Sequence, residues 1–184
     1  MSAYRKYADK LREQGYTANS NKARDWFKDQ LNKTRISRNS IIQKGNKIGK
    51  PTVGKMYTYF YNPKNEAKLP YYDGMPLIIL VGPAKGGWYG LNLHYLDSGT
   101  RAQFFSDLED LMNNTRYDET TRIRITYERL MRSRKLNVAS EAFKHYLGAH
   151  VTSGIVEIPA EDWHVAIMLP TAKWRGPQAR SRRR

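Results

Sequence analysis

The chain contains no cysteine. Disulfides, thiol nucleophiles and cysteine-built zinc sites are thereby excluded, and the redox compartment is left open. Long apolar runs are absent too. Leu77–Val81, five residues, is as long as they get, whereas a membrane-spanning helix needs about 20, so no membrane partner is expected. The N-terminal Met1–Lys6 has no apolar stretch behind it, and no secretory signal is expected. Acidic residues are scarce. Against 32 Lys and Arg stand 17 Asp and Glu, for a net charge of +15.

What is present suits a folded protein. The 184 residues include 40% hydrophobic and 12% aromatic side chains, too many for a disordered chain. The charge is unevenly placed. Residues 1–55 carry +10, residues 56–172 carry −1, and residues 173–184 carry +6. The chain therefore divides into a basic helical arm and linker (1–55), an α+β globular core (56–172) and a basic C-terminal tail (173–184). Cations gathered in extensions suit contact with phosphates, where each neutralised phosphate releases a counterion. The plainer reading, a solvated tail, fits the last five residues alone better than it fits both arms together.

The spacing of Tyr4, Tyr7, Ala8 and Leu11 predicts a first helix, capped by Ser2 and stopped at Gly15. Ala23, Trp26, Phe27 and Leu31 predict a second, with Lys22, Arg24, Lys28 and Lys33 mostly off its apolar stripe. From Thr34 to Val53 the periodicity fades into an expected linker, in which Arg35, Arg38, Lys44, Lys47 and Lys50 recur often enough to track a phosphate backbone. Strands are expected at Met56–Tyr61, Pro76–Val81 and Trp88–Leu96, the last two joined by a Gly82–Gly87 hairpin loop with Lys85 at its tip. Helices are expected around Phe104–Met112, over Asp118–Arg134, and through Ala139, Phe143, Tyr146 and Leu147 to a stop at Gly148. Gly154–Ile158 and His164–Leu169 read as closing strands around a helical turn at Pro159–Trp163. This order fits a small antiparallel barrel, SH3-like, with a helical insertion, or a mixed α+β sheet. With Arg180, Arg182, Arg183 and Arg184 in the tail, these cations make up the candidate nucleic-acid contacts.

Nothing in the sequence compels catalysis. Gly82–Gly87 lacks the Gly-Lys-Ser/Thr ending of a phosphate loop and precedes a strand. His94, His145, His150 and His164 show no metal-ligand spacing. Asp73, Asp97, Asp118, Glu119, Glu157 and Asp162 would serve a two-metal nuclease only if they converged with a lysine, and Asp73 is already explained by turn chemistry. No cofactor and no metal are expected. Tyr57, Tyr59, Tyr61, Tyr71, Tyr72, Trp88 and Tyr89 read first as barrel filling, and second as a surface on which bases stack.

The strings Lys68–Ile79, Gly87–Leu96 and Tyr117–Thr121 resemble a family of small virion proteins of T-even-type tailed myophages, that of the DNA end protectors. The resemblance covers about Ala23 to Leu169 and carries no catalytic residues with it. It implies a non-enzymatic virion protein that binds the ends of packaged linear double-stranded DNA, met in the host cytoplasm during assembly. Expected partners are DNA ends and other virion proteins, with self-association as a further option. The rival reading is a neck, tail-completion or baseplate component whose basic arms meet neighbouring subunits. A metal-dependent nuclease ranks third.

Overall fold

The protein is described from a computed structural model. It covers residues 37–97, 99–101 and 141–182, and the separate positions 9, 13–15, 22, 104 and 121. The helices expected within the first 31 residues, along 104–112 and along 118–134 lie almost wholly outside the described residues. Phe104 is helical and buried, as its place on the expected apolar face requires.

Chain order runs α1 (Arg38–Lys44), β1 (Asn46–Ile48), β2 (Met56–Thr58), β3 (Tyr72–Asp73), β4 (Leu77–Ala84), β5 (Gly87–Asn92), β6 (Phe143–Leu147), β7 (Ile155–Ile158), α2 (Trp163–Ala166) and β8 (Trp174–Arg175). Six strands form one antiparallel sheet in the order β1-β7-β2-β4-β5-β6, and β3 pairs with β8. The late strand β7 enters between β1 and β2, so early and late parts of the chain meet inside the sheet.

Register explains why the sheet stays open. Met56 opposes Ile79 and Ile158, and Ile79 opposes Leu91. This face packs on Ile41, Ile42, Phe104, Trp163, Val165 and Ala166. The other face carries Tyr57, Ile78, Leu80 and Tyr146, with Tyr59 and Tyr61 packed against them. A small barrel has a single interior. Here both faces of the strands are apolar, and the sheet lies between two cores with β1 and β6 as its edges. The expected antiparallel sheet is present, but the closed SH3-like barrel is not.

Four local expectations are corrected. The linker expected over 34–53 folds from Arg38 onward. Ser37 caps α1 by accepting a hydrogen bond from the Ser40 N–H at 3.2 Å, and Ile41 and Ile42 supply a buried stripe too short to register as a period. Gly82–Gly87 is not a loop of its own. β4 runs on to Ala84 past an irregularity between Leu80 and Gly82, and the reversal is made at Lys85 and Gly86, where Gly86 has φ 76°. Phe143–Leu147 is a strand, because its backbone completes the open side of β5 and Tyr146 docks in the tyrosine cluster. Beyond Trp163 the chain is helical through Ala166. The run Val165–Ile167 is buried all round, a pattern that does not separate strand from helix. The helical turn before Trp163 is found as expected, at Ala160–Asp162.

Candidate nucleic-acid interface

Five of the candidate cations fall into three places. Lys44, Lys47 and Lys50 lie at the end of α1, along β1 (the sheet's edge strand) and just beyond it, with Lys47 and Lys50 exposed. Lys85 is exposed at the β4–β5 turn, where its carbonyl lies 3.1 Å from His145 Nε2. Arg180 is exposed beyond Ala179, which is buried in the larger core. Lys22 is helical and exposed. Arg24, Lys28, Lys33, Arg35, Arg183 and Arg184, and the side chain of Arg182, lie outside the described residues.

Arg38 has a different setting. Its Nε donates to the Thr171 carbonyl at 2.9 Å and its Nη2 to the Ala172 carbonyl at 2.7 Å. It thus ties α1 to the segment that leads into β8. Two cations follow in that segment. Lys173 lies over the Phe60 ring, 4.9 Å from its centroid. Arg175 pairs across β3 with Tyr72, and its Nη1 lies 3.5 Å from Asn62 Oδ1. Trp174 between them is buried. Burial lowers the Lys173 pKa, and the nearby positive charges of Arg175 and Arg38 lower it further. Lys173 and Arg175 are not among the cations that the sequence pattern singles out. A signal for them exists: cations at i and i+2 around an apolar residue mark one face of a strand.

Beneath this segment lies a buried polar network. Asp73 Oδ1 accepts from the N–H groups of Met75 (3.0 Å) and Lys173 (2.9 Å). Its Oδ2 lies 2.5 Å from His94 Nδ1, and His94 Nε2 lies 3.1 Å from Thr171 Oγ1. Asn92 Nδ2 is shared between Asp73 and the Tyr146 hydroxyl. A hydroxyl, an imidazole and a carboxylate in line have the order of a hydrolytic triad. Thr171 is fully buried, however, so no substrate reaches its hydroxyl in this conformation. The network braces the crossover into β8. Of the carboxylates invoked for a nuclease, Asp118 and Glu119 lie outside the described residues, and among the described residues no group of carboxylates and histidines is placed to hold a metal ion. Asp73 stands in the small sheet, while Glu157 stands in the large one and pairs with Lys55 at 2.8 Å.

Of the seven aromatics weighed for stacking, Tyr57, Tyr59, Tyr61 and Tyr72 are buried, and Tyr71 and Trp88 are half-buried. Tyr59 meets Tyr61, Trp88 and Tyr146 edge to face at 5.8–6.2 Å, and Trp88 Nε1 donates to the Tyr59 hydroxyl. Tyr89 alone among the seven is open, at 39% exposure, and stacks on Phe143 with centroids 5.3 Å apart.

These features define a class: an α+β protein with an open antiparallel sheet, an internal polar brace and cations on its margins. The chain belongs to the family described as the phage T4 terminal DNA protecting protein, whose profile matches residues 2–182. Among curated proteins and solved structures, none matches it.

Proposed function

We propose that this protein binds the ends of linear double-stranded DNA in the phage particle and shields them from exonucleases without itself catalysing a reaction. Family membership over residues 2–182 carries this reading. The margins of the fold support it. Lys47 stands on the edge strand β1 with Lys44 and Lys50 flanking it in the chain, and Arg180 is exposed near the chain end. Side chains of this kind contact phosphates, which set position on the duplex without reading sequence. Lys47 on the edge strand also discourages strand addition by another protein. That favours nucleic acid over a neighbouring subunit as the occupant of this edge.

The test is protection. Linear duplex DNA is incubated with a processive exonuclease, with and without the protein. The reading expects the full-length duplex to survive in proportion to bound protein, while an endonuclease cutting internally is unaffected. Equal digestion with and without protein at saturating binding contradicts it.

A further inference from the structure

We propose that Arg38, Lys173 and Arg175 form a preformed site for a terminal phosphomonoester, the group that distinguishes a phosphorylated DNA end from the interior of the duplex. This inference rests on the proposed function and deepens it.

The three cations come from distant parts of the chain. Arg38 reaches the site by holding the carbonyls of Thr171 and Ala172, and Lys173 and Arg175 follow directly, on either side of buried Trp174. All three are on the folded core rather than in an extension. Their backbone is held from beneath, since Asp73 accepts from the Lys173 N–H and His94 faces Thr171. The rim is set as well. Phe60 underlies the Lys173 ammonium, and a Cβ placed on Gly74 would lie 3.3 Å from Arg175 Nε, so that guanidinium lies against the Gly74 backbone.

Like charges repel, and gathering three of them disfavours the free site. The carboxylates nearby are already engaged. Asp73 is buried on His94 and two backbone N–H groups, and Glu66, which accepts from the Tyr72 hydroxyl at 2.9 Å beside Arg175, offsets only one of the three charges. An incoming dianion would relieve the repulsion. A phosphomonoester carries about −1.5 to −2 at neutral pH, whereas each backbone phosphodiester carries about −1. Arginine adds paired donors that match phosphate oxygens. Three cations gathered about the Thr171–Arg175 segment match a terminal group better than a row of backbone charges, which Lys44, Lys47 and Lys50 suit.

The experiment compares three DNAs of one sequence: a blunt duplex with 5′-phosphates, the same duplex with 5′-hydroxyls, and a covalently closed circle. Wild-type protein is expected to bind the phosphorylated duplex about tenfold more tightly than the hydroxyl form. Lys173→Gln and Arg175→Gln should abolish that preference, lowering affinity for the phosphorylated duplex about tenfold more than for the hydroxyl duplex or the circle, with the thermal unfolding transition retained. Equal wild-type affinity for the two linear forms overturns the site, even if both exceed the circle and end binding stands. Equal affinity for all three overturns end binding itself. A phosphate preference that survives in both variants also overturns the assignment to these residues.

Discussion

Asp73 Oδ2 and His94 Nδ1 lie 2.5 Å apart with both side chains almost wholly buried. The pair joins β3 to the turn after β5, and through Thr171 and the Lys173 N–H it fixes the path into β8. Burial on its own pushes the Asp73 pKa up. The His94 imidazole and the N–H groups of Lys173 and Met75 outweigh it, so the group sits below its ordinary value.

A depressed folded-state pKa gives stability that is present above the unfolded-state value, about 3.9 for Asp. That stability is lost as pH falls through the folded-state value. Asp73→Asn is expected to cost about 3–5 kcal/mol at neutral pH, because it leaves a buried pair broken. On acidification below about pH 4 the wild type should lose stability faster than the variant. Urea unfolding across pH checks this. Parallel pH profiles would mean that Asp73 contributes no charge to the fold.

Close packing at the β4–β5 turn makes a second prediction. A Cβ on Gly87 would fall 1.9 Å from the Tyr146 carbonyl oxygen, whereas one on Gly82 meets nothing within 4 Å. Gly87→Ala should destabilise by at least about 2 kcal/mol, and Gly82→Ala by less than about 1. Equal midpoints for the two variants in chemical denaturation would contradict the register of β5 against β6.

How much of this is legible in the sequence depends on where each signal resides. The Met56, Leu77 and Gly154 regions read correctly as strands because local composition and burial agree there. Tyr146 misleads, because Phe143, Tyr146 and Leu147 have helical spacing, and only the unpaired side of β5 makes that segment a strand. The Val165 run misleads in the opposite sense, since a segment buried on every side has no period to read. Ile41 and Ile42 are hidden among polar neighbours. For the site, charge asymmetry along the chain is plain. The meeting of Arg38 with the Lys173 and Arg175 segment is not, because it depends on α1 crossing to residues 133 and 134 positions away.

The β1 edge gives a third prediction. Changing Lys44, Lys47 and Lys50 together to Gln should weaken binding to any duplex and lower the slope of log affinity against log salt by about 0.9 for each phosphate that is no longer neutralised. Folding stability should change by less than about 0.5 kcal/mol. Salt titrations with fluorescent duplex check the first, and thermal unfolding the second. An unchanged slope would remove this edge from the interface.

The chain end gives a fourth. Ala179 packs in the core, and the Gln178 N–H donates to the Pro70 carbonyl at 2.8 Å. Removing residues 180–184 should therefore lower DNA affinity and its salt dependence with little loss of stability. Removing residues 174–184 takes away buried Trp174 and β8, and should cost about 3 kcal/mol or more. Equal stability of the two truncations would contradict the placement of β8.

The central claim is that this protein holds DNA by its ends. It is tested most directly by measuring affinity for linear and covalently closed circular duplexes of the same sequence across a range of salt. The account predicts tighter binding to the linear form, retained as salt rises, above a background of internal binding that falls steeply with salt. Equal affinity for line and circle at every salt concentration would contradict it.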